Sequence, residues 1–150
     1  MKTTEHRVVQ RKTRIFLVDD QWDILLFYRT GLEQNGFLVH AFNDPVQALL
    51  SFKVGEYDLV ILDIKMPRMN GFELHREIQK IDGNVKVCFI TAFVPYYESL
   101  KEIFDMPNIH CIIKKPIDIR NLIEKITDEL AREPKSHNVS SLGSTILDDI

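Results

Sequence analysis

Five apolar runs rich in β-branched residues alternate along the chain with segments whose apolar residues recur every three or four positions. A short apolar run bounded by turn residues is typical of a strand buried on both faces, and the longer spacing is typical of a helix with one buried face. Strands separated by helices form a parallel sheet covered on both sides, which predicts an α/β fold. The predicted strands are RIFLV (14–18), FLVHAF (37–42), YDLVILD (57–63), VKVCFIT (85–91) and HCIIKK (110–115).

Capping residues mark where the predicted helices begin and end. The first helix spans about 21–35 and stops at Asn35-Gly36, because Gly36 suits the left-handed position that follows a helix. The second helix begins with Asp44 as N-cap and Pro45 at the first helical position. The remaining predicted helices span 71–81, 96–104 and a segment capped by Asp118, whose apolar face is Ile119, Leu122, Ile123, Ile126 and Leu130.

The composition is that of an ordinary globular domain. The chain has 150 residues, 45% of them hydrophobic, so it can bury a core without disulfides or metal. Its net charge of −3 lacks the basic excess of nucleic-acid-binding proteins. With no apolar stretch for a signal peptide or a membrane span, we expect a cytoplasmic protein that contacts neither membrane nor nucleic acid. Cys88 and Cys111 lie in apolar runs without zinc-ligand spacing, which predicts reduced, buried thiols.

The chain divides into three parts by composition. We predict a basic N-terminal arm over 1–12, a folded domain over 13–132 and a polar tail over 133–150. A short basic run is typical of a solvated arm, and the tail has the composition of a disordered segment.

Polar side chains follow the predicted strands at the point where each strand ends. Asp19 and Asp20 follow the first strand, Asp63 ends the third, Thr91 ends the fourth and Lys115 ends the fifth. The carboxyl ends of parallel strands meet at one edge of a sheet, which is where open α/β sheets bind ligands. The sequence therefore predicts that acidic, hydroxyl and ammonium groups surround one point.

Three neighbouring carboxylates repel one another, and a divalent cation removes that repulsion. Mg²⁺ prefers one or two carboxylates together with water and phosphate oxygens. A lysine and a hydroxyl beside such a cluster can bind phosphoryl oxygens, which predicts phosphoryl transfer to Asp63 as nucleophile. The Met66-Pro67 turn and Gly71 would let the chain enter the next helix without covering this carboxylate.

The motifs VDD (18–20), LDIKMPRMNG (62–71), ITA (90–92) and KP (115–116) occur in this order on the predicted strands. Together they resemble the receiver domain of two-component response regulators, of the stand-alone chemotaxis-regulator type, over roughly residues 12–132. The resemblance implies a doubly wound, flavodoxin-like sheet of five parallel strands in the order 2-1-3-4-5 with five flanking helices.

The resemblance also implies a magnesium site. Asp20, Asp63 and the backbone carbonyl of Lys65 would hold Mg²⁺, and Asp19 would act partly through water. A histidine kinase or phosphotransfer protein would then supply the phosphoryl group that Asp63 accepts.

Two further residues would contact the phosphoryl group. The resemblance implies that Thr91 bonds a phosphoryl oxygen and that Lys115 pairs with the phosphoryl group. The Lys115–Pro116 peptide is expected to be cis, which proline permits at small energetic cost. The neighbouring Lys114 points to the opposite side of its strand and is expected to be solvated.

The sequence departs from the receiver pattern at one position of the expected switch. Receivers usually carry Tyr or Phe three residues before the site lysine, and here that residue is Ile112. An aromatic rotamer switch is therefore not expected unless Tyr96 or Tyr97 substitutes for it. Lys65 and Phe93 occupy positions that in the family influence how fast the phosphoryl group is lost.

The leading hypothesis is a phosphorylation switch whose only catalysis is on itself. Phosphorylation would alter the face formed by the fourth helix, the fifth strand and the last helix, and a downstream protein of unknown identity would read it. The tail is too short for a DNA-binding output domain, so we expect the signal to leave through protein contact.

Two alternatives remain open. One is a receiver-like domain that docks or dimerises without phosphorylation, which Ile112 keeps open. The other is a Mg²⁺-dependent phosphatase with an aspartyl nucleophile. Haloacid-dehalogenase-like enzymes commonly carry a second acid two residues after the nucleophile, and here that residue is Lys65.

Overall fold

The computed structural model describes residues 11–92 and 109–133. Its strands pair in parallel in one sheet with the order β2-β1-β3-β4-β5, which confirms the predicted topology. The strands are Arg14–Val18 (β1), Leu38–Phe42 (β2), Leu59–Asp63 (β3), Lys86–Thr91 (β4) and Ile109–Lys114 (β5).

Four helices flank the sheet in the described part of the chain, and they are Trp22–Gln34 (α1), Pro45–Ser51 (α2), Gly71–Ile81 (α3) and Ile119–Ala131 (α4). The predicted caps are confirmed, because the Asp44 carboxylate accepts the Val46 N–H and the Asp118 carboxylate accepts the Asn121 N–H. Gly36 has the expected left-handed backbone, with φ of +90°. None of these helices combines the length and apolar character that spanning a membrane requires.

Several predicted segments lie outside the described residues. These are the helix over 96–104, most of the N-terminal arm and nearly all of the tail, residues 134–150. Arg11, near the end of the predicted arm, is described and forms an ion pair with Asp58 at 2.6 Å.

The strand boundaries differ from the prediction by one or two residues. Phe37 was assigned to β2, but its N–H donates to Leu32 O at the end of α1, so the strand begins at Leu38. β5 was predicted to include Lys115 but ends at Lys114. The Lys115 N–H donates to Thr91 O at 2.8 Å, so Lys115 leaves the ladder in a fixed position.

Two apolar layers cover the sheet, one on each face. Along β1 the side chains alternate between them, with Phe16 and Val18 in one layer and Ile15 and Leu17 in the other. The first layer packs residues of α2 and α3 against the sheet, and the second packs residues of α1 and α4. This confirms the doubly wound architecture.

A lysine from the sheet caps the C-terminal end of α4. The Lys86 ammonium donates to the carbonyl oxygens of Glu129 at 2.8 Å, Leu130 at 3.0 Å and Arg132 at 2.5 Å. The last turn of α4 has no basic residue of its own, so Lys86 supplies the positive charge that a helix C-terminus favours. This contact fixes α4 against the amino end of β4.

His75 on α3 is buried without a hydrogen-bond partner for Nδ1 among the described residues. Its ring packs against Phe89 with centroids 5.8 Å apart. Burial, and to a lesser extent the charge of Arg76, lower the pKa of His75 from 6.5 to about 4. The folded protein therefore holds a neutral imidazole where the unfolded chain would bind a proton.

We expect His75 to weaken the fold in mild acid. Because its folded pKa lies below its unfolded value, the associated stability is complete above pH 6.5 and is lost as pH falls towards 4. The full loss is about 3 kcal/mol. About 2 kcal/mol of this loss falls between pH 7 and pH 5. Urea unfolding of the wild type and His75→Leu at these two pH values measures it, since other titrating groups are common to both proteins. Equal pH dependence of the two proteins would contradict the expectation.

Candidate functional site

The site lies at the carboxyl edge of the sheet, and Asp63 occupies its centre. All residues of β3 are buried, and Asp63 at its end is 6% exposed. Gly71 opens α3 beside it, with its N–H on Ile64 O at 2.8 Å. A Cβ at Gly71 would lie 2.2 Å from the Asp63 carbonyl oxygen, so glycine alone permits this close approach. This agrees with the predicted role of Gly71.

Lys115 joins two of the acidic residues. Its Nζ lies 2.5 Å from Asp19 Oδ2 and 3.4 Å from Asp63 Oδ2. Both Asp19 and Lys115 are buried, and the Lys115–Pro116 peptide is cis as predicted. The second carboxylate oxygen of Asp19 accepts the N–H of Gln21 at 3.0 Å, which fixes its orientation.

Three carboxylates converge at this point. Asp19, Asp20 and Asp63 each offer an oxygen, and these oxygens lie within 4.8 Å of one another. Asp19 is fully buried, and Asp20 is partly exposed. Oxygen ligands in this arrangement fit a hard divalent cation such as Mg²⁺. Such a cation would also balance the charge of the cluster, because one lysine cannot neutralise three negative charges.

The pKa of Asp63 is raised in this cluster. Burial, followed by the charge of Asp19, raises the pKa of Asp63 from 3.8 to about 6 despite the nearby Lys115. Burial lowers the pKa of Lys115, but its hydrogen bond to Asp19 and the two carboxylate charges outweigh burial and leave that pKa raised. Lys115 therefore remains positively charged. A bound metal ion would favour the ionised form of Asp63.

A cavity of about 560 Å³ opens above the cluster. Among the residues that line it are Asp20, Asp63, Lys65, Thr91 and Lys115. Asp19 does not line the cavity, because it lies beneath the others in contact with Lys115. Each of the six residues predicted for this site thus either borders the cavity or supports it.

Of the predictions for residues beside the site, some are tested by the structure and others fall outside the described residues. Lys114 is exposed, as predicted from its strand direction. Ile112, at the position where receivers usually carry an aromatic residue, is half-buried and packs against the apolar layer on the α2–α3 side. Phe93, Tyr96 and Tyr97 lie outside the described residues.

Sequence reasoning missed the ion pair that fixes the loop beside the cavity. Arg68 has a left-handed backbone, with φ of 70°, and its Nη2 lies 2.7 Å from Asp44 Oδ2. Asp44 therefore both caps α2 and holds the loop between β3 and α3. No sequence pattern signals this, because a left-handed arginine is uncommon and the two residues are far apart along the chain.

The comparisons with known proteins agree with this geometry. The response regulator receiver domain family matches residues 15–127. The response regulator receiver protein CpdR of Brucella abortus is 33% identical over 113 residues, which are 75% of this chain and 92% of that protein. The chain therefore belongs to the response regulator receiver domain family. It spans little more than half the length of several other curated relatives, 60% and 54% in two cases.

Solved structures of receivers have the same fold. A CheY-like receiver domain protein from Methanospirillum hungatei is 28% identical, with a TM-score of 0.72 over 80% of this chain and 94% of that one. The response regulator TrrA from Thermotoga maritima, solved in complex with Mg²⁺-BeF, is 30% identical. Its TM-score is 0.65, over 78% of this chain and 98% of that one.

Proposed function

We propose that this chain is a Mg²⁺-dependent phosphorylation switch in which Asp63 accepts a phosphoryl group from a histidine kinase or phosphotransfer protein. The observation that carries the proposal is the convergence of Asp19, Asp20 and Asp63 within 4.8 Å, with Lys115 buried among them, beneath an open cavity. Membership of the receiver family and the Mg²⁺-BeF complex of a relative support it.

Asp63 is suited to act as the nucleophile. A carboxylate oxygen of Asp63 attacks phosphorus, the bond from phosphorus to the donor nitrogen breaks, and the donor imidazole leaves with the electron pair. Lys115, which Asp19 holds beside Asp63, pairs with the phosphoryl oxygens, and the Thr91 hydroxyl donates to one of them. Positioning and charge neutralisation are what phosphoryl transfer requires of a protein.

Bound Mg²⁺ would neutralise charge on the carboxylates and on the phosphoryl oxygens. Asp20, Asp63 and the backbone carbonyl of Lys65 would hold it, and Asp19 would act partly through water while it keeps Lys115 in place. The three carboxylates fit this role because their mutual repulsion is the cost that a divalent cation removes.

The output of the switch is a protein-interaction surface. Phosphorylation replaces the single negative charge of the Asp63 carboxylate with an acyl phosphate of about −1.5 to −2 charge that also reaches further into the cavity, which biases the neighbouring loops between two arrangements. An unidentified downstream protein reads the change, and we place the switch in the cytoplasm without direct contact to nucleic acid or membrane. Because Ile112 cannot act as an aromatic switch, the change travels by another route.

The phosphatase alternative has less support. Lys65, two residues after Asp63, is exposed and carries an ammonium where a second carboxyl would be needed as acid and base.

Intact mass measured after incubation with Mg²⁺ and acetyl phosphate tests the proposal. We expect a gain of one phosphate that requires Mg²⁺ and that peptide mapping places on Asp63. No gain together with no Mg²⁺ binding would overturn it and favour a domain that docks without phosphorylation. A gain on another residue would overturn the assignment of Asp63.

A further inference from the structure

The two cysteines of the chain lie side by side in the sheet. Cys88 on β4 and Cys111 on β5 are direct partners in the parallel ladder, which is irregular at Val87 and Cys88. Both side chains belong to the apolar layer on the α1–α4 side, where burial, followed by the neighbouring Cys111 thiol, raises the pKa of Cys88. Neighbouring strands are about 4.8 Å apart, so the sheet holds the two sulfurs together as a pair.

A second cavity, of about 180 Å³, lies between β5 and α4 and is bordered by Cys111 of this pair. It shares no lining residue with the cavity above Asp63. Cys111 forms part of its wall and is 8% exposed, while Cys88 is fully buried behind it. Cys111 is therefore the thiol of the pair that borders the cavity.

Glu129 lines the same cavity, and its contacts with the described residues do not explain why its carboxylate is buried. It is 5% exposed, and its Oε1 has no hydrogen-bond partner in the described part of the chain. Its other oxygen lies 3.9 Å from Arg132 Nε, beyond hydrogen-bond distance. Burying an unpaired carboxylate oxygen is unfavourable, so this group indicates an interaction with something that enters the cavity.

We infer that Cys88 and Cys111 form a two-thiolate binding site for a soft monovalent metal ion of the Cu⁺ class. Thiolates select soft ions of this kind, and Cu⁺ is satisfied by two sulfur ligands. Zn²⁺ requires three or four ligands. Among the described residues, the carboxylate cluster at Asp63 brings three possible ligand atoms within 4.8 Å of one another. The two cysteines and Glu129 do not form such a group, so this site offers two ligands rather than three.

Binding exchanges protons for the metal. Burial raises the pKa of Cys88, so its thiol is protonated before the metal binds. One Cu⁺ forms two metal–sulfur bonds and displaces two protons, with no change of oxidation state. The displaced protons leave to solvent through the cavity, past the Glu129 side chain, and Lys125 and Arg132 in the cavity wall offset the single negative charge of the complex.

The test is an anaerobic titration of the reduced full chain with Cu⁺ held by the competing chelator bicinchoninate. The chain contains two cysteines, so thiolate-to-copper absorption in the near ultraviolet reports on this pair alone. We expect one Cu⁺ per chain, and loss of this site in both Cys88→Ala and Cys111→Ala. Cys111→Ala changes the more accessible thiol in the cavity wall and keeps the test decisive if Cys88→Ala does not fold.

Matched variants separate the site from general effects of charge. Glu129→Gln should weaken binding by about tenfold, as removal of a group that supports metal ligands typically does. Asp128→Asn, an exposed residue of the same cavity, should leave binding unchanged, and so should Asp63→Asn, which makes the result independent of the proposed phosphorylation. Half an ion per chain, binding retained after loss of either cysteine, or equal affinity for Zn²⁺ would each overturn the inference.

Discussion

Replacing Asp63 with asparagine is expected to abolish phosphoryl acceptance and to raise the free energy of unfolding of the unphosphorylated protein. The carboxylate is nearly buried beside Asp19 and Asp20, and its pKa is raised to about 6 by burial and by the Asp19 charge. Asparagine has nearly the same shape but no charge, so the repulsion disappears. The conversion from pKa to free energy gives a stability gain of about 3 kcal/mol at pH 7 in the absence of Mg²⁺.

The pH dependence of this gain has a definite sign. The folded pKa of Asp63 lies above its unfolded value, so the wild type loses stability as pH rises from about 4 to 6. Asp63→Asn should therefore exceed the wild type most at pH 7 and little at pH 4. Urea unfolding with and without Mg²⁺ measures this, and Mg²⁺ should stabilise the wild type more than the variant. A variant less stable than the wild type at pH 7 without Mg²⁺ would show that Asp63 contributes to the fold.

Replacing Lys115 with methionine is expected to have the opposite effect on stability. The ammonium lies 2.5 Å from Asp19 and 3.4 Å from Asp63, and all three groups are buried. Methionine retains much of the apolar volume but leaves the carboxylates without their cation. Removing one partner of a buried ion pair costs about 3 kcal/mol or more. Phosphoryl acceptance should fall as well, because Lys115 no longer pairs with the transferred group.

Lys114→Met is the matched control for this experiment. Lys114 precedes Lys115, carries the same charge and is exposed, so its replacement should change stability by less than about 0.5 kcal/mol. Urea unfolding of both variants should show a loss in Lys115→Met alone, and Mg²⁺ should reduce that loss by taking over part of the neutralisation. A loss that Mg²⁺ leaves unchanged would place the role of Lys115 in packing rather than in charge balance.

Much of the fold could be predicted because its signals are local. The apolar run 14–18 is β1, and the Asp44-Pro45 and Asp118 caps lie where the helices begin. Errors occur at strand ends, where Phe37 and Lys115 have the right character for a strand but make hydrogen bonds outside the ladder. Phe37 bonds back to Leu32 at the end of α1, and Lys115 bonds to Thr91 on another strand, and periodicity encodes neither partner.

The candidate site could be predicted in its members but not in its contacts. The strand-end rule gathers Asp19, Asp63 and Lys115 at one edge without any coordinates. It does not show that Lys115 pairs more closely with Asp19 than with Asp63, across 96 positions of sequence. Nor does it show that Arg68, in the loop between β3 and α3, forms an ion pair with Asp44. These distances depend on the paths of loops after they leave the sheet.

The sequence by itself determined the alternation of strands and helices, the edge of the sheet where the polar residues meet, and the class of chemistry their side chains can perform. Only the tertiary structure decided which side chains touch, as with Cys88 and Cys111 or with Lys86 and the end of α4. The physical reason is range. Periodicity, caps and turns act over a few residues, whereas a contact between strands and helices depends on sheet order, register and packing that the whole chain settles together.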